Sequence, residues 1–336
     1  MMAGTETTRI LLTGATGFVG GTILDTLCDA HPDFHVKALV RQEADVERLP
    51  SIYRNIEPIV GALSDGSLLI SLASEVDFII HAAGDNIDAV RAMIDGLASH
   101  TASRPPQPRL ISMTGTRSLI DPSLPPNGSA MPEARPWSDV TDAEAILSLP
   151  QTRWHTASDQ ATVAHGIAKN VGVILVAPGQ LWGQGRGHFR KEGRVAAAYY
   201  STVTQRKSAF AVGNGSAAWS WVSIRDLGRA VIHIVEQSLM NGDNARSLVG
   251  VNENGYYFVR AGEVSMSERA EAINQRLDLG EVESISTEEA AEMHPLGPLM
   301  WGSGAVFKAD KLTALGWKPK DLEWKTLMEE EGGSRA

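Results

Sequence analysis

An α/β fold built on a doubly wound parallel sheet is what this 336-residue chain predicts. Three observations predict it. Short apolar runs recur with helical segments between them, the pattern of a parallel sheet covered on both faces. The first run, Ile10–Leu12, ends in a turn with glycines at 14, 17 and 20. An amphipathic pattern follows that turn at once, with Ile23, Leu27 and Ala30 on one stripe.

Composition sets the outer limits. A hydrophobic content of 43% and a charged content of 21% belong to an ordinary globular protein with ample length for a core. A net charge of −10 argues against a broad grip on nucleic acid or on an anionic membrane. The single cysteine, Cys28, excludes an internal disulfide and reads as a small buried residue of the first helix. No apolar stretch reaches the roughly 18 residues of a membrane span. Met1–Thr8 is polar and lacks the apolar core of a secretory signal, so a cytoplasmic protein is expected. Asn127-Gly128-Ser129 then reads as a loop accident rather than a glycosylation site. No metal site is expected.

The runs Ile10–Leu12, Val36–Val40, Ile56–Val60, Phe78–Ile80, Leu110–Met113 and Val173–Ala177 predict six strands. Ligands of open α/β sheets bind beyond the carboxyl ends of the strands. That rule selects Thr13–Gly20, Arg41, Gly61–Leu63, His81–Asp85, Thr114–Thr116 and Pro178–Gly179. The glycine turn between strand and helix suits a dinucleotide, because it lets a pyrophosphate approach the backbone at a helix N-terminus. His81, ending a buried strand, reads as a satisfied core histidine.

Proline and polar residues make loops of Ser103–Pro108 and of Asp121–Pro136, the second being either a pocket wall or a surface insertion. A helix is expected from near Ser158 to Ala168. Ser223 is expected to cap a further helix with Asp226 supporting it, and Leu227, Ala230, Val231, Ile234 and Val235 share that helix's apolar face. Arg246–Val251 reads as a seventh strand, Glu268–Leu277 as a helix, and Glu329–Ser334 as a frayed tail.

Thr13-Gly14-Ala15-Thr16-Gly17-Phe18-Val19-Gly20 resembles the cofactor fingerprint of extended short-chain dehydrogenases/reductases, the NAD(P)-dependent epimerase/dehydratase superfamily. Further pieces follow in that family's order. They are His81-Ala82-Ala83-Gly84, Ile111-Ser112-Met113-Thr114-Gly115, Ala177-Pro178-Gly179-Gln180-Leu181-Trp182-Gly183-Gln184-Gly185, Val212-Gly213-Asn214-Gly215 with Trp221–Leu227, and Leu315-Gly316-Trp317-Lys318-Pro319. The resemblance implies a Rossmann domain (1–185 plus 219–252) and a smaller C-terminal substrate lobe (186–218 plus 253–336). It implies cofactor contacts at Gly14, Thr16, Gly17, Phe18, Gly20, Arg41, Ala83, Gly84, Pro178 and Gly179. Arg41 stands where NADP-preferring members hold the ribose 2′-phosphate, and a guanidinium offers a phosphate the cationic fork that an aspartate would deny it. NADP(H) is the expected cofactor. Asp65 comes late for the acid with which many members read the adenine.

The family's general acid is the tyrosine of Tyr-x-x-x-Lys. This chain has five tyrosines, Tyr53, Tyr199, Tyr200, Tyr256 and Tyr257, and none lies between the fifth and sixth strands. His155 and Asp159 stand four apart where that pair belongs, so the carboxylate is expected to orient the imidazole of a substitute acid. The alternative is an exposed first-turn histidine beside a helix-start acid. Thr114 matches the active-site Ser/Thr, either holding a substrate oxygen or satisfying nearby backbone. Trp182, Trp219 and Trp221 either line an apolar pocket or pack between the lobes. Ala217-Ala218-Trp219-Ser220-Trp221 replaces the arginine of sugar-nucleotide members, and the chain is most similar to a fungal group of atypical members lacking the tyrosine. Some of those act in secondary metabolism and others bind NADP without turnover. The expectation is an NADP(H)-dependent enzyme acting on a small apolar carbonyl compound, with a possible homodimer; the alternative is a non-catalytic NADP-binding sensor.

Overall fold

A computed structural model describes residues 7–99, 108–120, 126–128, 135–240 and 248–332. All six expected strands form: β1 (Arg9–Thr13), β2 (His35–Val40), β3 (Ile56–Val60), β4 (Phe78–His81), β5 (Arg109–Met113) and the Gly172–Pro178 strand. With Tyr256–Val259 they make one seven-stranded sheet, ordered Tyr256–Val259, Gly172–Pro178, β5, β4, β1, β2, β3. Every pairing in it is parallel. The order reverses between β1 and β4, so the crevice of a doubly wound sheet opens at their carboxyl ends.

Alternation along the strands explains why both faces are covered. Ile10 and Leu12 point into one core with Phe78, Ile80, Ile111 and Ile174, while Leu11 points into the other with Ile79, Leu110 and Val173. Helix α1 (Phe18–Ala30) packs on the first face against the Ile224–Leu239 helix. Helices α3 (Gly66–Ala73) and α4 (Ile87–Ser99) pack on the second with the Thr156–Lys169 helix, after α2 (Glu43–Ile52) has joined the first face through Leu49.

The seventh strand is not Arg246–Val251. Residues 246 and 247 lie outside the described residues, and 248–251 are irregular, with Leu248 exposed. The strand forms instead at Tyr256-Tyr257-Phe258-Val259, four wholly buried aromatic and β-branched residues of high strand propensity that pair with Gly172–Pro178 at one edge of the sheet. Ala218–Ser223 joins no strand of the large sheet. It is the middle of a three-stranded sheet, parallel to Gln180–Trp182 and antiparallel to Gly262–Ser265.

Ser223 caps the Ile224–Leu239 helix by accepting the Asp226 N–H at 2.9 Å, as expected. The Asp226 carboxylate does not reach back to the cap. It is fully buried, accepts the backbone N–H groups of Lys320 and Asp321, and pairs with Arg229. Arg225 in turn binds Asp321 and Glu330. These contacts hold Glu329–Gly332 in a helix, Trp324–Gly332, where a frayed tail was expected. Residues 333–336, the sequon's Ser129 and most of both expected loops lie outside the described residues.

Candidate active site

The glycine turn after β1 is shaped by close approaches that only hydrogen allows. Gly14 has φ +80°, and a Cβ there would stand 2.6 Å from the Ala82 carbonyl oxygen. A Cβ on Gly20 would stand 2.2 Å from the Gly14 carbonyl oxygen, so α1 packs directly on the turn. Gly17 donates its N–H to Gly14 O at 2.8 Å and is the N-cap of α1, with no side chain capping the helix. The leading N–H groups of α1 therefore remain available to an anion, and the helix dipole favours one. This glycine cradle fits the pyrophosphate of a dinucleotide.

The other expected cofactor residues stand around the same crevice. Thr16 is half-buried in the turn, and Phe18 opens α1. Arg41 follows β2 directly, is exposed, and has no partner among the described residues. Ala83 and Gly84 follow β4 and are exposed. Pro178 and Gly179 end the sixth expected strand; a Cβ on Gly179 would press on Ser220 O at 2.4 Å. Asp65 instead caps α3, accepting the Leu68 N–H at 3.0 Å.

A cavity of about 230 Å³ continues from this crevice, bounded by Phe18, Gly115, Thr116, Arg117, His155, Pro178–Trp182, Val195, Trp219 and Met300. Trp182 and Trp219 thus line the cavity, as one of the two expectations had it. Trp221 does not line the cavity. It packs behind Trp182 with ring centroids 6.2 Å apart, and its indole also fills the space beside Gly262. No tyrosine lines the cavity. Tyr199, Tyr256 and Tyr257 are buried, and Tyr53 points its hydroxyl to Asp25.

His155 does line it, but its carboxylate partner is not the one expected. The residue precedes the Thr156–Lys169 helix as its N-cap, in the left-handed region at φ 66°. A left-handed cap turns the side chain off the face that the four-residue rule describes. Its Nδ1 meets Asp85 Oδ2 at 2.6 Å, 70 residues away in the chain. Its ring lies against Gly115, where a Cβ would stand 2.6 Å from Nε2. Nε2 carries no bond to another described residue. Arg153, two residues earlier, fastens this loop by donating to the carbonyl oxygens of Ser118 and Leu119. Asp85 and Gly115 were not singled out from sequence, although both sit in segments marked by the strand-end rule.

Asp159 turns the other way and accepts the Thr114 hydroxyl at 2.9 Å. Thr114 itself is not among the cavity's lining residues. Burial pushes the Asp159 carboxyl up to about 7, against the opposing pull of the Thr114 hydrogen bond and the His155 charge. His81 is a satisfied core residue, bonded to the Thr13 hydroxyl at 2.7 Å and to Gly84 O at 2.8 Å, and burial lowers its pKa.

The Asp159 shift predicts a pH-dependent stability. Its folded value of about 7 exceeds the ordinary 3.8, so between these values the folded chain holds a proton that the unfolded chain has released. The group's contribution is fully present below that window and is lost as pH rises through about 7. Asp139, raised to about 6 by burial, acts in the same direction. Asp159→Asn keeps an acceptor for Thr114 and removes the buried charge. We expect it to melt above the wild type near pH 8, with the gap closing near pH 5, in melting scans of both proteins. A gap that does not change with pH would remove the assignment.

Comparison with known proteins agrees with this fold. A family profile described as NAD(P)H-binding matches residues 14–120, and one described as the NAD dependent epimerase/dehydratase family matches residues 153–246. An oxidase of an Acremonium species, ucsJ, is 28% identical over 326 residues, covering 93% of each chain. UDP-glucose 4-epimerase from Thermotoga maritima, solved with UDP-glucose, superposes with a TM-score of 0.64 at 13% identity, covering 98% of this chain and 100% of that one. The dTDP-glucose 4,6-dehydratase DesIV from Streptomyces venezuelae, solved with NAD, gives 0.66 at 15% identity, covering 97% and 98%. Among the described residues no helix is long and apolar enough to cross a membrane, and no cluster of metal-ligating side chains is present. The sheet order, the glycine cradle and the two profiles, which match separate parts of the chain, converge on the NAD(P)-binding epimerase/dehydratase superfamily as what this chain is similar to.

Proposed function

We propose that this protein is an NADP(H)-dependent enzyme that acts on a small, largely apolar carbonyl compound, by reduction or by redox-neutral isomerisation, epimerisation or dehydration. The observation that carries the proposal is the His155–Asp85 pair at the wall of an apolar cavity that adjoins the dinucleotide cradle through Phe18 and Gly179. A nicotinamide cofactor, when bound, supplies or accepts hydride at its C4 carbon. The chain's own residues do the rest. The turn Gly14–Gly20 and the α1 N-terminus take the pyrophosphate, with Thr16 beside it and Ala83 and Gly84 leaving room across the crevice. Asp85 accepts Nδ1–H and fixes the ring, which leaves Nε2 as the atom that gives a proton to a substrate oxygen or takes one from it. Thr114 donates to Asp159, ionised or neutral, and stands behind the cavity wall, where it positions that carboxyl rather than touching the substrate.

The preference for NADP(H) rests on the unpaired guanidinium of Arg41 at the end of β2. We expect Arg41→Ala to weaken NADPH by about 10- to 100-fold, the worth of a charge-assisted phosphate contact, and NADH hardly at all. Fluorescence titration with both nucleotides checks this, and equal losses would dispose of the 2′-phosphate assignment.

A cofactor-binding sensor without turnover is the second reading. It is favoured by the carboxyl of Asp159 standing where the resemblance puts a cationic lysine. A carbonyl panel followed both by NADPH oxidation and by product analysis separates the two, since the sensor binds nucleotide and converts none of the compounds. We further place the protein in the cytoplasm and in secondary metabolism, with a small molecule rather than a nucleic acid or membrane as its partner. The acidic net charge supports the choice of partner, and the resemblance supports a homodimer, which sedimentation at micromolar concentration tests.

A further inference from the structure

Arg117 is the one charged side chain of the cavity wall without a counter-charge among the described residues. His155, the other ionisable group there, is already matched by Asp85. Arg117 makes no ion pair or side-chain hydrogen bond with any described residue. Its guanidinium lies 5.4 Å from the ring centroid of Trp154, the residue before His155. The loop that delivers His155 therefore also braces Arg117, and Arg153 ties that loop to the turn carrying Arg117. Partial burial lowers the Arg117 pKa, the mark of a cation held away from water with nothing to offset the cost. Stacking on an indole recovers part of that cost, whereas a bound anion recovers more.

We propose that the substrate carries a carboxylate and presents it to Arg117, with its apolar body against Trp182 and Trp219 and its reacting oxygen toward His155. The inference rests on the proposed function and narrows its substrate class from an apolar carbonyl compound to an apolar carbonyl acid. A carboxylate is favoured over a phosphate by charge and by size. The cavity offers one uncompensated positive charge and about 230 Å³, and a planar guanidinium matches a carboxylate with two parallel hydrogen bonds. Arg117 is in this sense a specificity residue, and the reaction does not pass through it.

The test uses benzoate and its neutral isostere benzamide as probes of the full-length protein loaded with NADP⁺, read by tryptophan fluorescence. We expect benzoate to bind at least about tenfold more tightly than benzamide, the usual worth of a desolvated charge-assisted pair. Arg117→Met retains the stem over Trp154 and should erase that preference while leaving NADPH affinity unchanged and without lowering the melting temperature. Arg117→Lys should keep a reduced preference. Equal binding of the two probes, no saturable benzoate binding at millimolar concentration, or a preference that survives in Arg117→Met would each overturn the proposal. So would a loss of NADPH affinity in Arg117→Met, which would give the guanidinium to the cofactor. NADPH titration of the wild type keeps the failures apart. Binding of NADPH without a carboxylate preference sinks this inference alone, whereas absence of NADPH binding sinks the proposed function beneath it.

Discussion

His155→Phe should lower kcat/KM by about 10²- to 10⁴-fold, the range a positioned general acid or base contributes, while NADPH binds as before. The argument is geometric. The imidazole lies on the bare backbone of Gly115 with Nδ1 held by Asp85, so one nitrogen is oriented and the other is left free at the cavity wall. Phenylalanine keeps a flat ring in that space and removes the transferable proton. It must also take a left-handed backbone at φ 66°, which costs roughly 1 kcal/mol, so a small fall in melting temperature is expected and does not count against the reading. Asp85→Asn is the companion variant. It leaves the imidazole in place and weakens the hold on it, so its activity should fall between wild type and His155→Phe. The measurement is steady-state NADPH oxidation on the carbonyl compound that the wild type turns over fastest. Unchanged turnover in His155→Phe would transfer the acid role elsewhere.

What could be read from sequence follows the range of the interaction that decides each feature. The β1–α1 turn was legible because its constraints are local. Gly20 needs to be glycine because of Gly14, six residues away, and strand before and helix after are both written in apolar periodicity. The sheet was legible for the same reason in six of its seven strands. The seventh was misplaced because neither candidate run alternates, and only pairing with Gly172–Pro178 decides between them. The partner of His155 was missed on firmer grounds. Spacing of four joins residues inside a helix, and His155 stands one residue outside it, so its carboxylate came from the loop after β4, 70 residues away in the chain. The tryptophans show the limit of composition. Trp219 and Trp221 sit two apart on one strand face, yet only the first borders the cavity, because the position of Trp182 settles which of them is covered. Arg117 has no sequence signal at all. An arginine after a strand is ordinary, and only the missing counter-charge makes it informative.

Gly17→Asp should abolish NADPH binding, weakening it by at least about 100-fold, while the fold keeps its stability or gains a few tenths of a kcal/mol. Of the three glycines in the turn, this one tolerates a side chain. Its backbone is extended, at φ −85° and ψ 172°, and a Cβ would stand 3.1 Å from Gly14 O, close enough to ask for a shift of only a few tenths of an ångström. Gly14 and Gly20 allow no such test, because a Cβ at either would drive the turn apart and confuse lost binding with lost folding. Aspartate is also among the best N-cap residues, since its carboxylate accepts the N–H groups that lead a helix. Those are the donors this chain leaves uncapped. The substitution thus supplies in cis the anion that the turn is proposed to take from a dinucleotide, and adds repulsion against any phosphate that approaches. Stability and binding are expected to move apart, which a merely structural glycine would not produce. A thermal melt and an NADPH titration on the same sample measure both. Loss of both together would mark Gly17 as a packing residue, and retention of NADPH affinity would move the pyrophosphate away from α1.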